Sequence, residues 1–298
     1  MNRRSWIALI ALSLGWGTRG VATRSAFTHG VETLTLVGIR LVIAAILMVG
    51  IQVLVTKSIT INRKVMTIGS VLAVTNVVAP FWLFTAAFHH ASAGFVGLMA
   101  ALVPLGTALF AHFMLPDEPL SRAKTAGLAL GIVGVGILVA SGDSGLAVGG
   151  NPAMAVAWAS PAVASFSFST VYGKRNESSM RGLGVVTVQI GLGAVIAIIP
   201  MLIVEGVPNL GVEAWTLLGY LAVFSTIVPL VLFYWVLVRS SAGQVALSGY
   251  LVPLVSVIAG VVILGETVGP GILIGGMAIL GGVVLADRSA GKHSLVIR

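Results

Sequence analysis

The chain has 298 residues, of which 57% are hydrophobic and 9% are charged, and its mean hydropathy is +1.07. Soluble domains carry about 25% charged residues, so a water-soluble core cannot hold this much apolar sequence and lipid must solvate most of it. The absence of cysteine excludes disulfides and thiolate metal sites, and the net charge of +8 would suggest nucleic acid only in a soluble protein.

Ten apolar segments of membrane-spanning length follow one another along the chain. Short breaks with turn residues or charges separate them, and the longest is the glycine-rich stretch from Ser141 to Pro152. The sequence therefore predicts an all-α integral membrane protein with ten transmembrane helices. The predicted spans cover roughly residues 5–25, 34–55, 67–88, 92–114, 122–140, 152–172, 183–204, 213–237, 243–264 and 269–286.

The first span resembles a secretory signal, because Arg3 and Arg4 precede an apolar run. However, no small-residue cleavage site follows it, and Arg19 and Arg24 interrupt the region where one would lie. We therefore expect this segment to be an uncleaved transmembrane helix.

Basic residues lie in alternate loops of the predicted chain, whereas the other loops hold acidic residues and no Lys or Arg clearly outside a span. The positive-inside rule then puts both termini in the cytoplasm and predicts a multi-pass protein of the cytoplasmic (inner) membrane. This distribution also explains the positive net charge without nucleic acid. The predicted cytoplasmic residues are Arg3, Arg4, Lys57, Arg63, Lys64, Arg122, Lys124, Lys174, Arg175, Arg181, Arg239, Arg288, Lys292 and Arg298. The opposite loops hold Glu32, Asp143, Glu205, Glu213 and Glu266.

One stretch occurs twice, because residues 92–105 read SAGFVGLMAALVPL and residues 241–254 read SAGQVALSGYLVPL. The offset of 241 − 92 = 149 recurs over the surrounding sequence and indicates an internal duplication. Since each half holds five predicted spans, an odd number, the second half must enter the membrane upside down relative to the first. The predicted parts are a first repeat at 1–142, an extracytoplasmic linker at 143–151, a second repeat at 152–290 and a cytoplasmic tail at 291–298.

The chain carries several short motifs, which are Leu14-Gly15-Trp16-Gly17-Thr18, Arg40 in span two, and the ends of spans four and nine, Leu115-Pro-Asp-Glu118-Pro-Leu-Ser121 and Leu264-Gly-Glu266-Thr-Val. Combined with the ten spans and the five-plus-five repeat, these motifs make the chain similar to the drug/metabolite transporter superfamily of the EamA type. The resemblance covers about residues 5–286 and implies a transporter that exports amino acids or other small metabolites, similar to aromatic and neutral amino-acid exporters. Span six departs from the pattern, because it has no counterpart of the tryptophan-glycine pair of span one.

Ionisable groups inside a span are costly and are therefore candidates for function. Arg24 lies near the outer end of span one, where we expect its side chain to extend to the lipid headgroups. Arg19 and Arg40 lie deeper and have no acidic residue inside a span as a partner. Two interpretations stay open: they bind backbone carbonyls or Glu32 and fix the packing of spans one and two, or one of them attracts the carboxylate of a solute. The copy of Arg40 in the second half is Gln189, which makes the predicted cavity electrostatically asymmetric.

Polar and aromatic residues near midplane depth complete the predicted substrate cavity. An individual tryptophan among them is explained at least as well by packing or by a place at the membrane interface, so the prediction concerns the set. Differences between the two copies, such as Met99 against Ser248, mark where a symmetric scaffold becomes selective. The set comprises Arg19, Arg40, Asn76, Trp82, Met99, Trp158, Ser165, Gln189, Ser225, Ser248 and Tyr250.

Four prolines occupy matched places in the two halves, Pro80 with Pro229 and Pro104 with Pro253. Proline removes one helical hydrogen bond and bends the span. We expect kinked helices at these places, which either act as gates or accommodate a fixed shape.

Glycines give smooth faces to span five, at Gly127-xxx-Gly131 with Gly134, and to span ten, at Gly271-xxx-Gly275. Such faces allow two helices to approach closely. We expect these two spans to pack against each other or against a second copy of the chain, which gives a monomer or a homodimer.

The sequence favours a secondary carrier that needs neither cofactor nor metal. The chain has no Gly-Lys-Ser/Thr phosphate loop, no His-Glu-x-x-His and no Gly-x-Ser-x-Gly, so a membrane enzyme lacks its usual residues. No span has an acidic residue in its interior, which argues against exchange of cationic drugs for protons. We expect export of neutral or aromatic amino acids or related metabolites by alternating access. A drug or nucleotide-sugar-like exchanger is the alternative, and a channel is less favoured.

Overall fold

The computed structural model describes residues 3–56, 61–116, 118–179, 183–239 and 248–293. The structure is 83% helical, and the described residues contain no β-strand. The predicted all-α class is therefore confirmed.

The helices of the first half follow the predicted spans closely. They are α1 (Arg3–Gly17), α2 (Arg19–Thr28), α3 (Thr33–Thr56), α4 (Arg63–Leu72), a π-helical turn (Ala73–Val78), α5 (Ala79–Ala87), α6 (Ala93–Ala100), α7 (Val103–Met114) and α8 (Arg122–Ala140). The second half begins with α9 (Pro152–Arg175), and a short 3₁₀ turn (Glu177–Ser179) follows it. The remaining elements are α10 (Leu183–Val204), α11 (Val212–Ala222), a second π-helical turn (Val223–Ile227), α12 (Val228–Arg239), α13 (Ser248–Leu264) and α14 (Pro270–His293).

Eight helical stretches of the described residues are long and apolar enough to cross a membrane. They are Thr33–Val55, Arg63–Ala87, Ala93–Met114, Arg122–Ala140, Pro152–Arg175, Leu183–Val204, Val212–Phe233 and Pro270–Asp287. A shorter apolar helix covers Gly249–Leu264, and the first predicted span is divided at Thr18 between α1 and α2. The protein is thus a multi-pass helical membrane protein, while the number of ten spans and the side of each terminus stay predictions.

Polar side chains at the predicted breaks start several of the helices. Asn62 accepts the N–H of Val65 at 2.8 Å, and Ser92 accepts the N–H of Phe95 at 3.0 Å. Ser121 and Asn151 cap α8 and α9 in the same way. Because the first N–H groups of a helix have no partner within it, these caps fix where each helix begins.

Segments that the duplication relates lie against each other in antiparallel pairs. Helices α3 and α10 form one pair, in which the carboxylate of Glu205 accepts the N–H groups of Leu34 and Thr35 at 3.0 and 2.6 Å. Thr187 donates a hydrogen bond to Gln52 at the other end of this pair. Helix α13 packs against α6, and α14 packs against α8.

The glycine faces of α8 and α14 meet within one chain. A Cβ atom on Gly127 would lie 2.4 Å from the carbonyl oxygen of Gly282, and one on Gly134 would lie 2.7 Å from that of Gly275. The two backbones are therefore in contact, as close packing through glycine requires. Of the two packing partners expected for these faces, the structure shows the one inside the chain.

The loops predicted to be extracytoplasmic gather at one end of the helices. The hydroxyl of Thr33 lies 2.8 Å from Nε2 of His89, and the N–H of Ser92 bonds the carbonyl of Ser144 at 2.9 Å. Thr267 donates to the linker in the same region. We call this the outer end, and the opposite end, where α9 finishes, the inner end.

Candidate functional site

A small cavity lies between the two halves of the chain. Spans one and three of the first half and spans six and eight of the second half form its wall, so the two halves meet there. The cavity volume is about 20 Å³, which is room for one water molecule. Its lining residues are Trp16, Asn76, Val77, Phe81, Phe166, Thr226 and Leu230.

Two π-helical turns form part of this wall, each beside a predicted proline. The turns Ala73–Val78 and Val223–Ile227 come directly before the helices that carry Pro80 and Pro229 at their second positions. A proline has no N–H to bond the carbonyl four residues earlier, which for Pro229 is the carbonyl of Ser225. The helix therefore widens to bonds that reach five residues back. The irregularity occurs at both predicted places, and its role as a gate stays a prediction.

Arg40 binds the π-turn of the opposite half. Its Nε donates to the hydroxyl of Thr226 at 2.7 Å, and its NH2 group donates to the carbonyl of Ser225 at 2.9 Å. The guanidinium carbon lies 4.3 Å from the centre of the Phe81 ring, and only 1% of the side chain is exposed. Because Pro229 has no N–H, Arg40 provides the hydrogen-bond donor for the carbonyl of Ser225.

Gln189, the copy of Arg40, makes the corresponding contact with the first half. The side chain of Asn76 donates to Oε1 of Gln189 at 3.2 Å and accepts the hydroxyl of Ser169 at 3.0 Å. Ser165 donates to a backbone carbonyl of the same π-turn at 2.8 Å. One side of the cavity is therefore held by a cation and the other by neutral amides and hydroxyls.

Arg19 lies beside the cavity with most of its hydrogen-bonding capacity unused. Its guanidinium carbon is 4.9 Å from the centre of the Phe84 ring, and its buried Nε has no hydrogen-bond partner among the described residues. Arg19 and Phe84 lie one helical turn beyond the lining residues Trp16 and Phe81, toward the outer end. Its charge also acts on Arg40, so two cations raise the positive potential beside the cavity.

No acidic side chain neutralises these two arginines within the part of the chain that the structure describes. The two ion pairs found there join other residues, Arg24 with Glu266 and Lys174 with Glu118. Of the two interpretations open from the sequence, the contacts of Arg40 fit the structural one in that it binds a backbone carbonyl, but this contact joins span two to span eight and not to span one as expected. Arg19 makes no such contact with a described carbonyl.

Arg24 does not extend to the lipid headgroups as the sequence led us to expect. Its Nε lies 3.0 Å from the carboxylate of Glu266, and its NH1 group donates to the carbonyls of Phe88 and Ala91 at 3.3 and 3.1 Å. Glu266 also accepts the N–H of Ala93 at 2.8 Å. The fold brings a carboxylate of the second half to the end of α2, which gives Arg24 a closer partner than lipid.

Burial changes the acid–base properties of the outer end. Burial of the Glu266 carboxyl raises its pKa, although the N–H of Ala93 and the charge of Arg24 oppose this change. His89 stacks on Phe27 with ring centres 3.9 Å apart. Burial and the nearby charges of His90 and Arg24 lower the pKa of His89, so its neutral form is favoured.

The sequence matches the EamA-like transporter family over residues 4–140 and again over residues 153–286. This chain belongs to the EamA-like transporter family. It is therefore a membrane transporter, as the motifs and the hydropathy had indicated.

Relatives of this EamA-like transporter match between 67% and 96% of its length at low identity. The uncharacterized transporter YvbV of Bacillus subtilis is 25% identical over 293 residues, 96% of this chain and 92% of that protein. The uncharacterized inner membrane transporter YedA of Escherichia coli is 26% identical over 87% of this chain and 83% of its own length. A probable terminal-alkyne amino-acid exporter of Streptantibioticus cattleyicolor is 29% identical over 67% of this chain and 65% of its own length.

A solved crystal structure has the same fold as this EamA-like chain. It matches with a TM-score of 0.68 over 96% of this chain and 98% of its own. The sequence identity is 19%, so the likeness concerns the fold alone.

The other predicted residues of this EamA-like transporter lie at varied distances from the cavity. Trp82 and Ser225 have buried polar atoms, Nε1 and Oγ, without a hydrogen-bond partner among the described residues. Met99 is fully buried in the core formed with α5 and α9. Trp158 is 39% exposed on the surface of α9, and Tyr250 packs beside α7 and α14.

The remaining predicted residues lie in spans four and nine, which contain the two copies of the SAG…LVPL stretch. Pro104 lies at the start of α7 and faces Gly249, while Pro253 lies inside α13 and faces Gly97. The side chain of Ser248 lies outside the described residues.

Sequence reasoning selected only Asn76 among the residues that line the cavity. Two of the missed pairs, Val77 with Thr226 and Phe81 with Leu230, are separated by 226 − 77 = 149 and 230 − 81 = 149. The repeat offset combined with the i, i+4 spacing of one helical face was a usable signal for them. The aromatic residues Trp16 and Phe166 were missed as well, although their rings lie 6.3 Å apart across the cavity.

Proposed function

We propose that this EamA-like transporter is a secondary carrier that exports neutral or aromatic amino acids, or related small metabolites, from the cytoplasm. The observation that supports this most is Arg19, a cation beside an aromatic-lined cavity without a described acidic partner. A carboxylate of the solute supplies the missing charge. The name of the exporter from Streptantibioticus cattleyicolor supports an amino-acid solute.

The different contacts of Arg40 and Arg19 support a different role for each. Arg40 uses its donors on Thr226 and Ser225, so it maintains the π-turn. Arg19 rests on an aromatic face and has a buried Nε to offer, so it receives the solute carboxylate. The apolar part of the solute then lies against Trp16 and the other aromatic rings of the cavity.

Alternating access between two inverted repeats is the mechanism we propose. It is supported by the packing of α1 against α12 and α13, because α9, the corresponding helix of the second half, packs against α5 and α7. The cavity has room for about one water molecule, so the halves must part before a solute can enter. A position in the bacterial inner membrane with both termini in the cytoplasm fits the loop charges and the printed name of YedA.

Counterflow in proteoliposomes tests this function. Vesicles loaded with unlabelled phenylalanine, leucine or alanine should accumulate the labelled amino acid transiently, and the initial rate should saturate with concentration. Protein-free vesicles are the control for leakage. If no member of a panel that also includes drugs, nucleotide sugars and organic acids gives saturable flux, the carrier is excluded. Flux of the drugs or nucleotide sugars alone selects the alternative substrate class.

The Arg19→Gln variant tests the proposed contact with the solute carboxylate. We expect the concentration for half-maximal flux to rise about ten-fold or more for amino acids, because a charge-assisted hydrogen bond is lost. The corresponding amino-acid amides, which have no carboxylate, should compete with unchanged affinity. Arg19→Lys keeps the charge and should retain part of the difference. Equal losses for acids and amides would place the role of Arg19 in the fold.

A further inference from the structure

Two ion pairs occupy corresponding places in the two halves. Arg24 near the end of α2 pairs with Glu266 in the loop after α13, and Lys174 near the end of α9 pairs with Glu118 in the loop after α7. The partners are separated by 174 − 24 = 150 and 266 − 118 = 148, on either side of the repeat offset of 149. The pairs are therefore made by duplicated elements and lie at opposite ends of the molecule.

Each pair connects one half of the chain to the other. Arg24 and Glu118 belong to the first half, and Glu266 and Lys174 belong to the second. Each basic residue also lies eight residues beyond an aromatic residue of the cavity wall on the same span, 24 − 16 = 8 for Trp16 and 174 − 166 = 8 for Phe166. Eight residues make about two helical turns, or roughly 12 Å, so the cavity lies midway between the pairs.

The outer pair is part of a network that joins three segments. Glu266 accepts N–H groups of Ala93 and Gly94 at the start of α6, at 2.8 and 3.4 Å. Span nine makes room for this carboxylate at Gly260, where a Cβ atom would lie 2.1 Å from Oε2 of Glu266. The end of α2, the start of α6 and the loop after α13 therefore separate only if these bonds break together.

The two pairs differ in their exposure to solvent. The side chains of Arg24 and Glu266 are 25% and 5% exposed, whereas those of Lys174 and Glu118 are 55% and 34% exposed. Water screens an exposed pair and leaves it little net stabilisation. Removing the partner of a mostly buried carboxylate costs more free energy, because the remaining charge stays buried without compensation. The outer pair is therefore the stronger of the two.

We propose that Arg24–Glu266 and Lys174–Glu118 are matched latches, the first closing the outer end and the second the inner end, and that transport opens them in turn. The proposal rests on the alternating access proposed above. Both pairs are formed in this structure, in agreement with a cavity too small for a solute. Because the inner latch is weaker, the resting carrier opens to the inner end more readily than to the outer end.

Single-cysteine labelling tests the latches directly, because the chain has no cysteine of its own. Val77→Cys places a thiol on the cavity wall. An impermeant maleimide is applied to right-side-out and to inside-out membrane vesicles, and the labelling rate is measured in Glu266→Gln, Glu118→Gln and the unaltered background. Glu213→Gln removes an exposed carboxylate and is the matched control.

Glu266→Gln should raise labelling from the outer side about ten-fold, because a mostly buried pair is lost. Glu118→Gln should raise labelling from the inner side, by no more than about five-fold, since exposed pairs contribute little. Arg24→Gln breaks the outer pair and leaves the hydrogen bond from the N–H of Ala93 to Glu266 in place. It should therefore raise labelling from the outer side, as Glu266→Gln does, even if Glu266→Gln perturbs folding. Labelling that equals the Glu213→Gln control, or that rises on the same side in both variants, would overturn the proposal. The assay needs no solute, so its failure is distinct from failure of the counterflow test.

Discussion

The two arginines beside the cavity, Arg19 and Arg40, differ in how many of their donors the protein already uses. Arg40 bonds both Thr226 and the carbonyl of Ser225, whereas the Nε of Arg19 bonds no described group. A buried carbonyl that loses its donor keeps the cost of leaving water. At the scale of the residue, therefore, one cation stabilises the fold and the other is available to a ligand.

Replacing Arg40 with glutamine, the residue of the second copy, should destabilise the protein. We expect the free energy of unfolding to fall by about 1–3 kcal/mol, because Ser225 and Thr226 lose charged donors. Flux of amino acids and binding of their amides should fall together, since the π-turn changes shape for both. Thermal unfolding in detergent measures the first effect. Thr226→Val should reproduce part of it and Thr226→Ser should not, while a selective loss for carboxylates would show that Arg40 contacts the solute.

Single residues show where sequence reasoning succeeded and where it stopped. Asn76 was selected because polar groups inside a span are rare and costly, and it lies on the cavity wall. Substrate binding by Asn76 and by the two arginines stays a prediction. Thr226 was missed in favour of its neighbour Ser225, because a π-turn adds a residue to the helical period and moves the next side chain to the cavity. The partner of Arg24 was missed because Glu266 comes close only through the tertiary fold.

At the scale of the element, helix positions could be predicted far better than helix contacts. Apolar length and turn residues located nearly every described helix, and caps such as Asn62 and Ser92 fixed their starts. The helix break at Thr18 could not be predicted from a proline, because there is none at this position. The hydroxyl of Thr18 donates to the carbonyl of Leu14 at 2.6 Å and lies 2.6 Å from the hydroxyl of Tyr220. Which faces meet depends on packing between distant segments, and only the glycine pattern of α8 and α14 signalled one such contact.

That glycine contact predicts a large difference between two substitutions on the same helix. Gly134→Ala puts a methyl group 2.7 Å from the carbonyl oxygen of Gly275, so the helices must move apart. We expect a loss of about 1–3 kcal/mol in the free energy of unfolding, as in an overpacked core. Gly136→Ala meets no atom within 4 Å and should be neutral or slightly stabilising, because alanine favours the helix. Equal melting temperatures for the two variants would contradict this packing.

At the scale of the whole molecule, the duplication gives each end one ion pair made by corresponding elements, and the two ion pairs differ in burial. The outer end closes with a mostly buried carboxylate, and the inner end closes with an exposed pair. The same scaffold places a cation on one side of the cavity and an amide on the other. In the proposed carrier, the unequal ion pairs favour one resting conformation, and the unequal sides of the cavity orient the bound solute.

The titration of Glu266 predicts how acidity affects the outer end. Because burial raises the pKa of Glu266, its carboxylate takes up a proton at a higher pH than an exposed glutamate does. Protonation removes the charge that holds Arg24, so the outer end should open as the pH falls through this pKa and stay closed above it. Other titratable side chains lie in the loops of this end, namely His29, Glu32, His89, His90, Asp143, Glu205 and Glu213. Burial and nearby charges lower the pKa of His89, which favours its neutral form.

Outer labelling of Val77→Cys measures this opening when the pH is lowered stepwise from about pH 8 toward the ordinary glutamate pKa of about 4.3, because a raised pKa lies above that ordinary value. Thiol reactivity itself depends on pH, so each rate is divided by the rate of the same reporter in Glu266→Gln at the same pH. The ratio should rise toward one as the pH falls, because protonated glutamate and glutamine both lack the charge. A ratio that stays constant across the range would show that the charge of Glu266 does not hold the outer end closed.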